Sequence, residues 1–316
     1  MPSKIHNKPK TKARQKKSQR YSLPKDSFAF ISEGQTAYGK EKSFTVYYDD
    51  PKRSIRLLKG DCIKILNQAG ENSIDMIFAD PPYFLSNGGI TCHAGKMVSV
   101  NKGKWDKSRG VEENHKFSLE WLKACQRVLK PDGTIWVSGT THIIYSVGFA
   151  MQELGYKILN DIVWYKRNAP PNLSCRYFTH STEIVLWAAK NKKSKHYFNY
   201  QLMKKFNNGK QMRNVWQISA PPAEEKKFGK HPTQKPVELL TRIILASTKE
   251  NDLVLDPFCG SSTTGVASVL LNRKYVGIDL ENEYLGLSAK RLETVTKQYS
   301  LFNIKTNILP KDVAIV

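Results

Sequence analysis

The sequence predicts a doubly wound α/β protein, in which helices cover both faces of a mostly parallel β-sheet. Its 316 residues, 40% of them hydrophobic, suffice for one large core. From Ser54 onward, short apolar segments of strand length alternate with longer segments of helical character. Two of the apolar segments end directly at acidic residues, Asp80 and Asp256, and open α/β sheets bind their ligands at such strand ends.

The first half of this alternation predicts five strands and three helices, with a glycine-rich loop among them. Pro131-Asp132-Gly133 marks a turn between a helix and the strand after it. The predicted elements are a strand over Ile55–Lys59, a helix from Asp61, a strand over Ile74–Ala79, a helix over 118–129, a strand over 134–138, a helix near 143–154, and strands around 162–165 and 183–187.

The alternation resumes after a polar, basic stretch. It predicts a helix over 236–247, a strand over 253–255, a helix from Thr264, a strand over 275–278 and a final helix to about Gln298. We therefore expect one folded domain over 54–298, with a region inserted at about 166–235. Residues 1–25 carry nine Lys or Arg and no acid, which predicts a disordered basic tail; 26–53 are unassigned, and 299–316 form a C-terminal extension.

The net charge of +22 indicates a polyanionic partner, most often nucleic acid, although a basic protein without such a partner would show the same excess. The five cysteines form no Cys-x-x-Cys pair and no zinc-like cluster with histidines, so we expect a reducing cytoplasm and no metal. No apolar run approaches the roughly 20 residues of a membrane helix, and no apolar signal core is present, so we expect no membrane association.

The segment 256–264 reads as a tight turn between a strand and a helix. Its small residues and backbone N–H groups suit the close approach of a ligand at a strand end. Asp279 ends the next strand 23 residues after Asp256, a distance at which an acid accepts hydrogen bonds from ribose hydroxyls. The turn has one glycine rather than three, which favours a nucleoside without phosphates. A purely structural turn in a doubly wound fold would look alike.

Asp80-Pro81-Pro82-Tyr83 forms a stiff loop at the end of an apolar strand, because two prolines forbid helix continuation. The Asp80 carboxylate and the Pro81 carbonyl are suited to accept the two N–H groups of an exocyclic amine, whose lone pair is delocalised into its ring. Tyr83 offers a flat face for a base extruded from a duplex. An acidic loop with a turn-forming Pro-Pro is the structural alternative. The loop predicts a methyl-transfer site on a base amine.

These two motifs, together with His231-Pro232-Thr233-Gln234-Lys235-Pro236, resemble those of the amino-DNA methyltransferases that use S-adenosylmethionine. The clamp, Asp80-Pro81-Pro82-Tyr83, comes first in the chain, the basic region 166–235 follows, and the cofactor turn 256–264 comes last. This order resembles that of their β class, over about 54–298. Segments 80–89 and 172–181 are similar to the DpnA-type adenine methyltransferases of GATC restriction systems. The resemblance implies a Rossmann-like methyltransferase fold with circularly permuted motif order and an inserted DNA-recognition region, in a protein of the bacterial cytoplasm or nucleoid.

The resemblance also implies roles for individual residues. It places Asp80, Pro81, Pro82 and Tyr83 at the target amine, and it places the cofactor S-adenosylmethionine, without a metal, against a second set. Within that set Thr233 and Lys235 lie near the cofactor carboxylate, and the family usually has glycine at the position of Ser262, where a Cβ is expected to crowd the turn. The implied cofactor residues are Asp61, Cys62, Asp80, Thr233, Lys235, Asp256, Phe258, Gly260, Ser261, Ser262, Thr263 and Asp279.

Residues 166–235 hold fifteen Lys or Arg against three acids, interleaved with aromatic residues, which predicts the DNA-recognition region. The run from Lys192 to Lys195 is equally compatible with a solvated turn. The loop 87–115, with a hinge at Gly88-Gly89, is expected to close over the flipped base, or else to be a surface insertion. The predicted DNA-binding residues are Lys166, Arg167, Asn172, Arg176, Lys192, Lys193, Lys195, Lys210 and Arg213.

We therefore predict a site-specific adenine methyltransferase that transfers a methyl group directly to the 6-amino group, with GATC as its target in restriction-modification. Two alternatives stay open: a cytosine 4-amino methyltransferase, whose enzymes more often have Ser at the position of Asp80, and a catalytically silent DNA-binding protein. A cysteine-nucleophile route to 5-methylcytosine is disfavoured because the chain has no Pro-Cys dipeptide. The sequence leaves open whether the DNA is double- or single-stranded and whether the chain forms a homodimer.

Overall fold

The structure, a computed structural model, describes residues 43–302 except 87–89, 94–95, 100–102, 104–105, 173 and 230. It gives only the backbone of 90–93, 96–99 and 299–302. The predicted basic tail, the first part of the unassigned segment, the Gly88-Gly89 hinge and the last fourteen residues lie outside this range.

The described chain alternates strands and helices almost throughout, as the sequence predicts. Its elements are β1 (Thr45–Asp50), β2 (Ile55–Lys59), α1 (Cys62–Gln68), β3 (Ile74–Ala79), β4 (Ile90–His93), β5 (Lys96–Ser99), α2 (Val111–Val128), β6 (Leu129–Gly139), α3 (Ile144–Glu153), β7 (Lys157–Tyr165), β8 (Thr182–Ala189), α4 (Tyr200–Phe206), β9 (Val215–Gln217), α5 (Val237–Ser247), β10 (Leu253–Asp256), α6 (Thr263–Leu270), β11 (Lys274–Asp279) and α7 (Asn282–Phe302).

Nine of the strands form one sheet in the order β1-β2-β11-β10-β3-β6-β8-β7-β9, and β4 and β5 form a separate hairpin. The central strands β2, β11, β10, β3 and β6 are all parallel. On one side β8 runs antiparallel to both β6 and β7, and β1 closes the other side antiparallel to β2. The sheet is therefore mostly parallel, and its antiparallel strands lie toward the two sides.

The sheet buries both faces, because consecutive side chains of a strand point in opposite directions. Along β6, Trp136 packs into one core cluster while its neighbours Ile135 and Val137 pack into the other. The first cluster contains the apolar residues of α5, such as Leu239, and the second contains those of α2, such as Trp121. Helices thus cover both faces, which is the doubly wound arrangement that the sequence predicts.

Three details differ from the sequence-based prediction. Helix α2 begins at Val111 rather than at 118, because its polar first turns, which include Glu112 and Glu113, lack an apolar period. The Pro131-Asp132-Gly133 turn is an irregularity within β6: Leu129 pairs with Ile74 and Thr134 with Met76. Four strands, β1, β4, β5 and β9, and the short helix α4 were missed. Strand β1 is largely exposed, β4 and β5 lie in the segment predicted as a loop, and β9 has three residues.

The parallel strands all end at one side of the sheet, which we call the ligand edge. Asp80 follows β3 there, Asp256 and Asp279 end β10 and β11, and Ser138 lies near the end of β6. Because β8 is antiparallel, it begins at the same edge, with Glu183 as its second residue. In the part of the chain that the structure describes, no helix has both the length and the apolar character needed to cross a membrane.

Candidate active site at the ligand edge

The Asp80 carboxylate is held by three side chains, one from its own loop and two from distant parts of the chain. Its Oδ1 accepts hydrogen bonds from the Tyr83 hydroxyl at 2.7 Å and from Ser138 Oγ at 2.6 Å. Its Oδ2 accepts one from Lys235 Nζ at 2.6 Å. A carboxylate has about four acceptor positions, so roughly one remains for an incoming donor. This geometry fixes the carboxylate and leaves it able to accept one N–H of an amine.

A second buried carboxylate, Glu183, lies behind this group. Its Oε1 accepts a short hydrogen bond from Lys166 Nζ, and its Oε2 lies 3.7 Å from Lys235 Nζ and 3.3 Å from the Tyr83 hydroxyl. Burial alone would raise the pKa of Glu183, but the ammonium groups of Lys235 and Lys166 outweigh it and hold that pKa at about 2. Burial likewise opposes the charge of Lys235, yet Asp80 and Glu183 raise its pKa. The negative charges of two carboxylates and the positive charges of two ammonium groups therefore balance one another in the interior.

Tyr83 differs from the expectation of an open stacking face, since only 4% of the residue is exposed. Its hydroxyl points inward to Asp80, and Lys235 Nζ lies 5.3 Å from the centre of its ring. Burial, followed by the nearby Asp80 and Glu183, raises the pKa of its hydroxyl well above the usual value. In this structure the ring supports Asp80 from behind, and its contact with a base stays a prediction.

The turn between β10 and α6 depends on two residues with left-handed backbone conformation. Gly260 has a φ of 50°, which favours glycine, and a Cβ at this position would lie 2.9 Å from Nε2 of His231, so a side chain here would require that ring to move. Ser262 has a φ of 51° and a ψ of 43°. Its side chain is fully buried and accepts a hydrogen bond from the Tyr275 hydroxyl at 3.2 Å. Ser262 therefore points into the core, and the expectation that its Cβ crowds the turn and weakens cofactor binding stays a prediction.

Asp256 organises the turn from within. Its Oδ1 accepts a hydrogen bond from the Phe258 N–H at 3.1 Å, and its Oδ2 accepts one from the Thr264 hydroxyl at 2.6 Å. Burial raises the pKa of Asp256 to about 7, although these two hydrogen bonds act in the opposite direction. Its carboxylate is thus engaged by the protein itself rather than directed at a ligand.

Helix α7 holds the same turn from the other side. Arg291 Nη1 donates to the Ser261 carbonyl at 2.6 Å and lies 3.0 Å from both the Ser261 and the Thr263 hydroxyl oxygens. Ser288 Oγ donates to the Gly260 carbonyl at 2.7 Å. This support could not be predicted from the sequence, because both residues lie within an ordinary helical pattern. The hydroxyls of Ser261 and Thr263 are therefore positioned by Arg291.

Asp279 faces the turn from the end of β11. Its Oδ2 accepts a hydrogen bond from the Gly260 N–H at 2.8 Å, and its Oδ1 accepts one from the Glu281 N–H at 2.9 Å. Burial raises the pKa of Asp279 to about 6. Asp61 lies at the start of α1, where its side chain caps the helix by accepting the Lys64 N–H at 2.9 Å. Both carboxylates retain acceptor capacity for hydroxyl groups of a ligand.

One cavity of about 350 Å³ joins the clamp to the cofactor turn. Carboxylates line the cavity along its length, and the ring of Phe258 forms part of its wall. This ring packs edge-on against Trp121, with the two ring centres 5.4 Å apart. The volume, the aromatic wall and the acidic acceptors for ribose hydroxyls fit a nucleoside-bearing cofactor. Of the residues predicted from the sequence, it contains Asp61, Cys62, Asp80, Pro82, Thr233, Phe258, Gly260 and Asp279.

The remaining predicted residues lie beside this cavity or behind it. A narrow adjoining recess is lined by Lys235, Asp256, Ser261 and Thr263. Pro81, Tyr83 and Ser262 line neither space. Lys235 donates a hydrogen bond to Asp80 and so holds the clamp. Its predicted position beside the cofactor carboxylate stays a prediction.

Several residues of the cavity wall were missed from the sequence. Leu280 and Glu281 directly follow Asp279, and His231 opens the His-Pro-Thr motif, so the motifs pointed to their neighbourhood. Arg109, in the loop expected to close over the flipped base, and Phe117 and Glu120, in α2, had no signal that they face this cavity. Gly60, Ile63, Pro257 and Tyr284 complete the wall. Among the described residues, no group of three or more His, Cys, Asp or Glu side chains could hold a metal ion.

The predicted DNA-binding residues divide between opposite edges of the sheet. The loop 166–181 lies at the ligand edge, where it is closed by the hydrogen bond from Lys166 N to Ser181 O. It carries Arg176, Tyr177 and Phe178, all exposed, and the side chain of Asn172 shapes it by donating to the Tyr177 carbonyl. Lys166 itself pairs with Glu183. Arg167 lies beside the Gln217 side chain at the end of β9, at the same edge.

The lysine run lies at the other edge, beyond the end of β8. Lys195 N donates to Asp132 Oδ1 at 2.7 Å, and Ser194 Oγ donates to the Pro131 carbonyl at 2.6 Å, both near the start of β6. A strand of eight residues spans roughly 23 Å at 3.3 Å per residue. Lys192, Lys193 and Lys195 are thus separated from Asp80 by the length of the sheet. Lys210 and Arg213 are exposed and lie in the segment that precedes β9, the outermost strand on that side of the sheet.

Comparison with known proteins gives consistent results. A family model described as DNA methylase matches residues 74–290. The chain is 58% identical over 256 residues to the Type II methyltransferase M2.LlaDCHI of Lactococcus lactis subsp. cremoris, covering 81% of this chain and 94% of that protein. It is 56% identical over 257 residues to the Type II methyltransferase M2.DpnII of Streptococcus pneumoniae, covering 81% of this chain and 95% of that protein.

Solved structures show the same fold. A crystal structure of the M1.HpyAVI-SAM complex is 30% identical, with a TM-score of 0.57, and the match covers 75% of this chain and 98% of that one. The cytosine-N4-specific PvuII DNA methyltransferase is 22% identical, with a TM-score of 0.61, covering 78% of this chain and 92% of that one. The second likeness concerns the fold alone.

The raised pKa of Asp256 predicts a pH-dependent stability. In the unfolded chain this carboxyl loses its proton near pH 3.8, whereas in the fold it keeps the proton until about pH 7. The free energy of unfolding therefore falls as the pH rises through this window. Relative to Asp256→Asn, which does not titrate, the natural protein should lose roughly 2 kcal/mol between pH 5 and pH 8. Urea unfolding across this range measures the difference, and a constant difference would contradict the prediction.

Proposed function

This chain belongs to the DNA methylase family of amino methyltransferases, and we propose that it methylates the 6-amino group of adenine within GATC sites of duplex DNA. It is a methyltransferase that uses S-adenosylmethionine and acts on DNA, as the sequence predicted. The observation that carries the proposal is the common cavity: Asp80 and Pro82 of the clamp share one wall with Asp61 and Asp279 of the cofactor region.

The target base is argued from the clamp and from the relatives. Asp80 supplies a carboxylate that accepts an amine N–H, and the likeness to the M2.DpnII group supports adenine over the 4-amino group of cytosine. The same likeness supports a place in a Type II restriction-modification system and GATC as the target. A silent DNA-binding protein would have no use for a cavity that joins the two motifs.

The residues of the chain act mainly by positioning. When bound, S-adenosylmethionine supplies an electrophilic methyl group. The Asp80 carboxylate accepts one N–H of the adenine amine and the Pro81 carbonyl accepts the other, which helps to free the nitrogen lone pair for attack. Lys235, Tyr83 and Ser138 keep Asp80 in place during this step. The Asp80 carboxylate, which accepts an N–H of the amine, is also placed to take up the proton that leaves the methylated amine.

The DNA surface that we propose lies at the ligand edge, on the loop 166–181. Arg176, Tyr177 and Phe178 are exposed there, and Phe178 is 97% exposed. Arginine contacts phosphates or base edges, and exposed aromatic rings stack on bases, so the loop supplies both kinds of contact beside the cavity. The lysine run 192–195 faces away from this surface. We infer that it does not contact the substrate duplex.

Two further features follow from this proposal. For activity on chromosomal DNA we expect the protein in the bacterial cytoplasm or nucleoid, and the relatives named above come from bacteria. A homodimer, which the sequence left open, and action on single strands stay predictions. Sedimentation of the purified protein with and without duplex DNA measures the first, and methyl transfer to matched single and double strands measures the second.

Asp80→Ala is expected to lower the rate of methyl transfer by about 100-fold or more, because the amine loses its fixed acceptor. The affinity for S-adenosylmethionine should stay within about threefold, since Asp61, Asp279 and Phe258 remain. Radiolabelled methyl transfer and calorimetry measure the two quantities. Asp132→Ala, which removes an exposed carboxylate from the opposite edge, is the control. Normal turnover in Asp80→Ala would refute the assigned role.

Sequencing that detects N6-methyladenine tests the target. DNA from cells that express the chain and otherwise lack adenine methylation should carry the mark at GATC. Nucleoside analysis of the same DNA should find N6-methyladenine and no N4-methylcytosine. Methylation confined to another motif would overturn the GATC assignment, and N4-methylcytosine would favour the alternative of cytosine methylation.

Arg176→Ala and Lys193→Ala form a matched pair of exposed basic residues at opposite edges. We expect Arg176→Ala to weaken duplex binding about fivefold or more and, if the contact is to phosphate, to reduce the slope of log affinity against log salt by about one. Lys193→Ala should change binding by less than about twofold. Fluorescence anisotropy over a range of salt concentrations measures both, and equal losses would show that the interface extends over both edges.

A further inference from the structure

We propose that Asp106 is a positioning residue for the clamp loop, Asp80 to Ser86. It holds this loop in the conformation that presents the Asp80 carboxylate to the target amine. Its side chain is completely buried, and it lies 23 residues after Tyr83 in the chain. Neither the clamp nor the cofactor turn includes it, and its carboxylate does not line the cavity. The proposal rests on the function proposed above, which it deepens by naming what holds the clamp.

The Asp106 carboxylate captures consecutive backbone N–H groups of the loop. Its Oδ1 accepts hydrogen bonds from the Tyr83 N–H at 2.9 Å and from the Phe84 N–H at 2.8 Å. Its Oδ2 accepts bonds from the Leu85 N–H at 3.1 Å and from Ser86 Oγ at 2.9 Å. These four bonds use the roughly four acceptor positions of a carboxylate. The main-chain carbonyl of Asp106 accepts a fifth bond, from the Ser86 N–H at 3.2 Å.

The loop requires such an acceptor because of its own composition. Pro81 and Pro82 have no N–H group, so the first main-chain donors after Asp80 are those of Tyr83, Phe84 and Leu85. Phe84 adopts a left-handed backbone conformation with a φ of 57°, which is unfavourable for a residue with a side chain. Successive N–H groups in such a turn converge on one point and bind an anion there. Asp106 supplies that anion from within the protein.

The fixed backbone in turn fixes the chemistry of the clamp. With its N–H held by Asp106, Tyr83 directs its hydroxyl to Asp80 Oδ1 at 2.7 Å. Asp80 then presents its remaining acceptor position to the cavity. Phe84, held in the same way, packs edge-on against Phe117, which lines the cavity wall. Asp106 thus acts on the amine through the loop, without contact with the reacting atoms.

Asp106→Asn tests this role, because the amide retains the size of the carboxyl but presents an NH2 group to backbone donors. We expect kcat to fall at least about 30-fold, while the affinity for S-adenosylmethionine stays within about threefold. A mismatch opposite the target adenine should not restore kcat, because the defect lies in the clamp and not in base extrusion. Hydrogen exchange at the amides of Tyr83, Phe84 and Leu85 should accelerate at least tenfold, a readout that is independent of activity.

Asp252→Asn is the matched control. Its Oδ2 accepts the Lys249 N–H at 2.7 Å in a loop away from the ligand edge, so it removes a comparable carboxylate without touching the clamp. We expect its kcat to stay within about twofold of the natural protein. If Asp106→Asn does not fold, Ser86→Ala decides: it removes one of the four bonds, and kcat should fall about threefold with faster exchange at Leu85.

The outcomes separate this proposal from the function on which it rests. An inactive natural protein would refute the proposed function, while the exchange measurement would still judge the role of Asp106. Unchanged kcat and unchanged exchange in Asp106→Asn, or in Ser86→Ala where that variant decides, would overturn the positioning role. Equal losses of kcat and cofactor affinity would overturn it as well, since they indicate a general structural defect.

Discussion

The structure of the site depends on a buried ion pair between Asp80 and Lys235, two residues 155 positions apart. An isolated buried charge is costly, so the clamp carboxylate requires a cation, and that cation requires further anions. Glu183 and Lys166 complete the set. The pair also links the end of β3 to the segment before α5, which brings the clamp and the His-Pro-Thr-Gln-Lys-Pro segment to one wall.

Around this pair, several carboxylates accept hydrogen bonds from backbone N–H groups of the loops that form the site. Asp256 and Asp279 accept N–H groups of the cofactor turn, and Asp106 accepts those of the clamp loop. Each therefore holds a loop that helices and strands alone would leave without partners for its N–H groups. Burial raises the pKa of Asp256 and Asp279, which shows that this support has an energetic cost at neutral pH. The loops of the site are therefore held in place by hydrogen bonds to carboxylates within the fold.

Local patterns in the sequence predicted much of this arrangement. Apolar strands ending at Asp80, Asp256 and Asp279 indicated a common ligand edge, because parallel strands end on the same side of a sheet. The order of the motifs pointed to the family. The same approach grouped Lys193 with Arg176. Strand β8 separates them, because Arg176 precedes its start at the ligand edge and Lys193 follows its end at the opposite edge. Net charge along a segment does not reveal which way a strand runs.

The sequence by itself determined the five parallel strands of the sheet, the motifs at their ends and the chemistry of those motifs, because strand periodicity and turn chemistry are local properties of the chain. Only the tertiary structure decided which side chains support them: Lys235 on Asp80, Arg291 on the cofactor turn, and Asp106 on the clamp loop. It also decided that Ser262 faces the core. These contacts join residues far apart in the chain, and no local pattern encodes them.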